Sequence, residues 1–179
     1  MYLYLIRHGI AVEQDPFALD QIADDEARCL TRSGRKKVEQ VAEKLAKLEL
    51  KFELIITSPL VRARQTADIL IDRQIGARLE VANDLKPMGS LPQWLHHWNA
   101  RADRHDISTL ALVGHEPNLS QWAELLIFGE VYDRLILKKG GTIGLKFPDI
   151  SATAPLGHGL AIGTAQLACL IPPKYLLPS

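Results

Sequence analysis

Short runs of strand-forming residues alternate along the chain with longer segments in which apolar residues recur at helical spacing. The first run, residues 2–6, is apolar throughout, which is typical of a strand buried on both faces, as in a parallel sheet. We predict strands at six such runs, with a Gly/Ala/Pro-rich loop between the last two. The runs cover residues 2–6, 54–57, 78–81, 109–113, 141–147 and 163–171.

Four segments between the runs have the period of an amphipathic helix. The first is capped by Thr31 or Ser33, and its apolar positions are Val38, Val41, Ala42, Leu45 and Leu48. The other three helices are predicted over residues 61–71, 91–100 and 117–128. Residues 10–30 have no clear period, so we predict a long loop with room for one helical turn. Its acidic residues 24–26 are interpreted as a solvated surface.

The alternation of strands and helices predicts an α/β domain with a mostly parallel central sheet. We expect residues 1–179 to form one such domain, because 179 residues are an ordinary size for a single domain. In sheets of this kind, ligands bind at the carboxyl ends of the strands.

Composition narrows the class of protein. Hydrophobic residues make up 47% of the chain and charged residues 23%, which excludes a disordered, collagen-like or coiled-coil chain. Because 21 basic residues balance 21 acidic ones, a general nucleic-acid binder is not expected. Arg7 and His8 interrupt the first apolar run, so no signal peptide is predicted. No membrane span is predicted either, because no segment approaches the ~18 consecutive apolar residues that a span needs. Cys29 and Cys169 lie in apolar surroundings, and we interpret them as reduced core residues of a cytoplasmic protein.

Chemically active residues follow three of the predicted strands. Arg7 and His8 follow the first, Arg62 follows the second after a short turn, and His115 follows the fourth. In a parallel sheet these turns share one edge, which would bring two imidazoles and two guanidinium groups together. Neutral imidazole is a nucleophile near pH 7, and guanidinium binds the oxygens of a phosphate through its planar fork. The pattern predicts a site that holds and attacks a phosphoryl group.

Three motifs resemble the signatures of the histidine phosphatase superfamily, also called phosphoglycerate mutase-like. They are Leu-Ile-Arg-His-Gly at residues 5–9, Thr-Ser-Pro-Leu-Val-Arg-Ala-Arg-Gln-Thr-Ala at 57–67 and Val-Gly-His at 113–115. The run Gly-His-Glu-Pro-Asn and the closing Ile-Pro-Pro-Lys at 171–174 are similar to the small SixA-type phosphohistidine phosphatase branch. The resemblance implies a three-layer α/β/α fold and a reaction that needs neither metal nor cofactor.

The resemblance also implies a role for each matching residue. His8 corresponds to the nucleophile that accepts the phosphoryl group, Arg7 and Arg62 to the phosphate-holding arginines, and His115 to the second histidine. The two arginines should disfavour a charged His8 and so keep its imidazole nucleophilic. The competing interpretation is structural, with both histidines packed at strand ends and the arginines paired with Asp68 or Glu116.

One stretch departs from the larger members of the superfamily, which carry an acid in the loop after the middle strand. In this chain Lys86 stands where that Glu or Asp is expected. Asp84 is nearby but offset, and it is the candidate proton donor.

From these residues we expect a metal-independent phosphatase that acts through a phosphohistidine intermediate. The favoured substrate is phosphohistidine on a signalling phosphotransfer protein, and the first alternative is a small phosphate ester cleaved at the same site. A second alternative is a non-catalytic protein that only binds phosphorylated ligands. An intact His8 favours the two enzymes, because binding alone needs arginines but no nucleophile.

Overall fold

A computed structural model of the protein describes residues 1–148 and 160–176. Within these residues a single sheet has the strand order β3-β2-β4-β1-β5-β6. The strands are β1 (Tyr2–Arg7), β2 (Leu54–Thr57), β3 (Leu79–Val81), β4 (Thr109–Gly114), β5 (Thr142–Lys146) and β6 (Gln166–Ile171). The helices are α1 (Gln21–Ala27), α2 (Arg32–Lys47), α3 (Val61–Asp72), α4 (Leu91–Asn99) and α5 (Asn118–Phe128).

The sheet is mostly parallel, as predicted. Strand β4 lies in the middle and pairs in parallel with β1 on one side and β2 on the other, while β3 extends the parallel part beyond β2. Only β5 runs against its neighbours, because it pairs antiparallel with both β1 and β6. Parallel strands have to be joined by crossover connections, and the helices between them supply these.

Two hydrophobic clusters lie on opposite faces of the sheet, and strand β1 alternates between them. Leu3 and Leu5 belong to the cluster that contains Trp94 of α4 and Trp122 of α5. Tyr4 and Ile6 belong to the cluster that the helices α2 and α3 cover. Helices therefore cover both faces, which confirms the α/β/α layers that the resemblance implied.

The helix ends follow from local chemistry. The Thr31 hydroxyl caps α2 by accepting a hydrogen bond from the backbone N–H of Gly34 at 2.9 Å, so Thr31 and not Ser33 is the cap. Ser90 caps α4, and Gly129 ends α5 with a φ of 85°, in the left-handed region that glycine tolerates.

Strand β6 begins three residues later than the predicted Gly163. That glycine has a φ of 73° and donates its N–H to the carbonyl of Leu125, so it belongs to a turn. The loop predicted before β6 lies mostly outside the described residues. No helix within residues 1–148 and 160–176 is long and apolar enough to cross a membrane.

One expectation was incomplete and another was wrong. The helical turn expected within residues 10–30 is the longer, seven-residue helix α1, whose N-cap Asp20 accepts from the backbone N–H groups of Ile22 and Ala23. Because α1 buries none of its residues, no apolar period marks it in the sequence. The cysteines are not in the core, since Cys29 is exposed and Cys169 is half-buried.

Candidate active site

The ends of β1, β2 and β4 meet at one edge of the sheet, as predicted. The register places Arg7 beside Gly114 and Thr57 beside Val113. Immediately beyond β1, the backbone N–H of His8 donates to the carbonyl of Gly114 at 3.1 Å. The backbone therefore aligns the residues that follow the three strands before any side chain contributes.

The two histidines lie against each other at this edge. The ring centroids of His8 and His115 are 5.1 Å apart, and the two residues are only 6% and 3% exposed. Nδ1 of His8 lies 2.7 Å from the carbonyl oxygen of Gly9. Because a carbonyl only accepts, Nδ1 must carry the proton, and the lone pair of a neutral ring is then on Nε2. No described residue forms a hydrogen bond to that nitrogen.

Both imidazoles are held neutral. Burial lowers the pKa of His8 to about 3, and the nearby charges of Arg62 and Arg7 act in the same direction. Burial also lowers the pKa of His115 to about 3, again with help from Arg62. The direction for His8 is the one expected from the sequence, but its largest cause is loss of solvent and not the two arginines.

Ser58 orients the second histidine. Its Oγ lies 2.9 Å from Nε2 of His115 and also accepts from the backbone N–H of Leu60 at 3.3 Å. Nδ1 of His115 is buried and has no hydrogen-bond partner among the described residues. The ring is thus fixed on one side and free to bond on the other.

Arg7 is anchored through one end of its guanidinium group. Its Nη1 donates to the carbonyl of Leu137 at 2.9 Å, whereas its buried Nε has no partner among the described residues. Burial lowers the pKa of Arg7, and the carboxylate of Glu116 partly opposes that shift. Arg7 and His115 therefore each present a buried, unpaired nitrogen at the edge that carries His8.

Arg62 lies in the first turn of α3, and its side chain is only 5% exposed. Its guanidinium group is bonded to Asp25. Its Nη2 lies 2.9 Å from Oδ2 of Asp25, and its Nη1 donates to the backbone carbonyl of the same residue. Arg28 adds a second ion pair to Asp25 at 2.7 Å. Asp68, one of the alternative partners expected from the sequence, pairs instead with Arg64.

The acidic residues 24–26 are consequently not a solvated surface, and that interpretation was wrong. Burial alone would raise the pKa of Asp25, but hydrogen bonds from Arg62 and Arg28 outweigh it and lower the pKa. The next residue, Glu26, pairs with Lys86 at 2.6 Å. Helix α1 therefore bridges α3 and the loop after β3 by two ion pairs.

The loop after β3 is also tied to the start of α5. The amide oxygen of Asn118 accepts from the backbone N–H of Met88 at 3.1 Å, and its amide nitrogen donates to the carbonyl of Gly89 at 3.1 Å. This places Lys86, which replaces the expected acid, beside α1 and near the turn that carries His115.

Asp84 is not brought together with the other predicted site residues. Its carboxylate pairs with Nδ1 of His97 at 2.8 Å, and it has no described contact with either site arginine or site histidine.

Glu116 is the nearest carboxyl group in sequence to His115. Burial raises its pKa, and Oε1 is buried without a partner among the described residues, while Ser120 donates to Oε2. Within residues 1–148 and 160–176, no three His, Cys, Asp or Glu side chains are grouped as a metal site.

Sequence reasoning missed two residues of this arrangement. Ser58 stands in the second motif, but nothing in its neighbours indicates that it bonds to His115. Asp25 stands in an acidic run that has many possible partners, and only the fold brings it to Arg62.

Comparison with known proteins agrees with this geometry. The family model described as histidine phosphatase superfamily (branch 1) matches residues 3–105. The chain belongs to the histidine phosphatase superfamily. It is also 41% identical to an uncharacterized protein of Picosynechococcus sp., an alignment that covers 99% of this chain and all of that one. A shorter match, 31% identical over 58% of this chain and 35% of the relative, is to the Serine/threonine-protein phosphatase Pgam5, mitochondrial, of Drosophila virilis.

Several solved structures of phosphatases share the fold. The protein histidine phosphatase SixA complexed with tungstate aligns with a TM-score of 0.77 at 20% identity, over 99% of this chain and 100% of that one. The alpha-ribazole phosphatase from Shigella flexneri aligns with a TM-score of 0.64 at 16% identity, over 97% of each chain. A phosphoserine phosphatase from Entamoeba histolytica aligns with a TM-score of 0.62 at 17% identity, over 98% of this chain and 99% of that one. Membership of the superfamily supports a phosphatase.

Proposed function

We propose that this protein is a phosphatase in which His8 accepts the phosphoryl group, and that its substrate is phosphohistidine on another protein. The observation that carries the proposal is the state of His8. Its ring is buried, neutral and fixed by the Gly9 carbonyl, so that Nε2 holds a free lone pair at the strand edge. A histidine with only a structural role has no need of that exposed lone pair or of two arginines beside it.

The first step is attack by Nε2 of His8 on phosphorus. A bond forms between nitrogen and phosphorus, and the bond from phosphorus to the leaving group breaks, with the electron pair departing on that group. The ring becomes positively charged, and the Gly9 carbonyl stabilises that charge through Nδ1–H. In the second step water attacks the phosphorus, and the nitrogen–phosphorus bond breaks with its electron pair returning to Nε2. The two protons of the water leave with inorganic phosphate, and His8 recovers its neutral state.

Three groups hold the phosphoryl oxygens in this scheme. Two of them are Nε of Arg7 and Nδ1 of His115, which are both buried without a partner among the described residues, and the third is the guanidinium group of Arg62. We assign His115 the tautomer in which the Ser58 hydroxyl, 2.9 Å from Nε2, donates to that nitrogen, so that the neutral ring carries its own proton on Nδ1 and offers it to an oxygen. Such preorganised donors stabilise the charge that spreads over the oxygens in phosphoryl transfer.

Arg62 completes the clamp after an exchange of partners. Its Nη2 donates to Oδ2 of Asp25 and its Nη1 to the backbone carbonyl of the same residue, and a phosphoryl group can offer two charged oxygens to such a fork. Substrate therefore displaces the Asp25 carboxylate, and α1 shifts with it, since α1 has no buried residues to hold it in place.

The preference for phosphohistidine rests on the leaving group. An alkoxide is strongly basic and has to be protonated as its bond breaks, usually by a positioned side chain. A phosphohistidine ring that solvent has protonated on its free nitrogen leaves instead as neutral imidazole, which is a far weaker base. Lys86 occupies the position of the expected acid and is paired with Glu26, while Asp84 is bonded to His97. A site built this way suits phosphoramidates and activated aryl phosphates better than alkyl esters.

A small phosphate ester is the second candidate substrate. Two structures with this fold are named as phosphatases of alpha-ribazole and phosphoserine, so the fold accommodates such substrates. For such an ester, Glu116 is the group that would have to protonate the leaving alkoxide, because its raised pKa favours the protonated form that can donate a proton.

The test is turnover measured side by side on a phosphohistidine protein and on a series of aryl and alkyl phosphates. We expect rates that rise steeply as the pKa of the leaving group falls, with alkyl esters cleaved poorly. A flat dependence would favour the small ester, and Glu116→Gln and Asp84→Asn would then identify the acid. No turnover of any substrate, with tungstate still bound, would leave only the non-catalytic binding protein.

A further inference from the structure

A second recess lies beside the candidate active site and shares with it only the side that carries Arg7 and Gly9. Its volume is about 420 Å³, and it is enclosed by α2, by residues 138–140 and by the 3-10 turn Pro173–Tyr175. Arg7 and Gly9 form part of its wall, but His8, Arg62 and His115 do not. A ligand in this recess would sit next to the phosphoryl site without occupying it.

The recess concentrates positive charge. Four lysines line it, namely Lys37, Lys138, Lys139 and Lys174, and no Asp or Glu does. In residues 1–148 and 160–176 none of the four has an ion-pair partner, although Nζ of Lys174 lies 4.8 Å from the Tyr175 ring centroid. The formal net charge of the whole chain is zero, so this cluster is a local excess. Like charges so placed favour a bound anion.

The remaining wall is aliphatic. Val38 and Val41 of α2 are buried and line the recess together with Ile10 and Pro173. An apolar wall with ammonium groups around it fits an anion that also has an apolar or planar body. The volume falls within the roughly 300–1,000 Å³ that is typical of small-molecule pockets, whereas a protein partner needs a broad surface of about 800 Å² per side.

The segment that carries two of the lysines also supports the active site. The carbonyl of Leu137 accepts from Arg7, and the N–H of Gly140 donates to the carbonyls of Arg7 and His8 at 3.0 and 3.1 Å. Lys138 and Lys139 lie between these two contacts, so a ligand held by them rests on the backbone that positions the catalytic residues.

We propose that this recess binds an organic anion with at least two phosphate charges and an apolar body, the chemistry of a nucleoside diphosphate. The proposal does not depend on the substrate of the phosphatase, and it does not require that the chain be an enzyme.

The test is calorimetric titration with a methylene-bridged analogue of ADP, which cannot be hydrolysed between its phosphates, and with adenosine. The pocket variant is Lys138→Ala with Lys139→Ala. Its matched control is Lys44→Ala with Lys47→Ala, which removes the same charge from the exposed side of α2. Arg62→Ala reports whether the ligand uses the phosphoryl site instead.

We expect the analogue to bind the wild type and the control equally, and the pocket variant roughly tenfold more weakly or worse, a loss of about 1.4 kcal/mol. Binding should persist in Arg62→Ala, and adenosine should not bind measurably. The proposal is overturned by no binding at millimolar analogue, by equal affinity in the pocket variant and the control, by loss of binding in Arg62→Ala, or by adenosine binding as well as the analogue.

Discussion

The two sides of the phosphoryl site are held by different forces. On one side, His8 and His115 are buried at strand ends and fixed by the Gly9 carbonyl and the Ser58 hydroxyl. On the other side, Arg62 is held by Asp25 of α1, a short helix with no buried residue. The histidine side is thus preorganised by the fold, while the Asp25 side depends on an ion pair that a ligand can replace. The nucleophile side of the site is therefore rigid before substrate arrives, whereas the Arg62 side can exchange one anion for another.

Removing the nucleophile should have the largest effect. His8→Ala should abolish turnover, because the other imidazole at this edge, that of His115, is assigned a proton on its unpaired Nδ1 and so has no lone pair there for attack on phosphorus. Brief acid-quenched incubation with labelled substrate should trap an adduct in the wild type that is acid-labile and base-stable, and none in the variant. His105→Ala, at an exposed histidine, is the matched control and should keep the adduct and the rate. Full activity in His8→Ala would refute the mechanism.

Removing the exchangeable guanidinium should have the next largest effect. Loss of one preorganised donor typically costs about 10²–10³ in rate, so Arg62→Ala should lose roughly that much in kcat/KM. Arg62→Lys should recover little of it, because an ammonium group lacks the planar fork. Arg64→Ala, two residues along the same helix and half-exposed, is the control. A near-normal rate in Arg62→Ala would place that residue outside the site.

The lowered pKa values of His8 and His115 should also change how the free energy of unfolding depends on pH. Each ring has a folded pKa of about 3 against an ordinary 6.5, so the unfolded chain binds protons that the folded chain does not. Stability should therefore fall as pH drops from 6.5 towards 3, with a slope approaching about 2.7 kcal/mol per pH unit for two protons. Glu116, whose pKa is raised, opposes this with a single proton.

Denaturant unfolding at pH 7, 6 and 5 measures that slope. His115→Gln should remove about half of it, whereas His105→Gln should leave it unchanged. A slope that is the same in His115→Gln and the wild type would mean that His115 is not held neutral in the folded protein.

The smallest effect is expected from the carboxylate that competes with phosphate. Asp25→Asn removes a partly exposed ion pair worth up to about 1 kcal/mol, so tungstate or phosphate should bind roughly two- to fivefold more tightly. Asp24→Asn changes the same charge on the same helix and should leave the affinity unchanged. Weaker anion binding in Asp25→Asn would show that Asp25 supports the bound state and does not compete with it.

The sequence predicts the histidine side far better than the Asp25 side. Apolar strands followed by Arg7, His8 and His115 indicate one sheet edge, because parallel strands end together whatever the details of packing. Helix α1 could not be predicted, since polar caps and ion pairs hold it and neither leaves a period in the chain. The partner of Arg62 is equally invisible, because any of several acids could reach it. The lysine-lined recess required the fold too, since its four lysines come from three separate segments.

The ion pair between Asp25 and Arg62 has a consequence for the release of product at the end of each catalytic cycle. In the proposed mechanism inorganic phosphate, once formed, is held by the same guanidinium fork that bound the substrate, and product release can limit turnover in enzymes. A carboxylate on a neighbouring helix is present at a high effective concentration, so it returns to Arg62 as soon as phosphate loosens. If the proposed exchange at Arg62 operates, the protein carries its own displacing anion, which speeds the departure of product at the cost of some affinity for substrate.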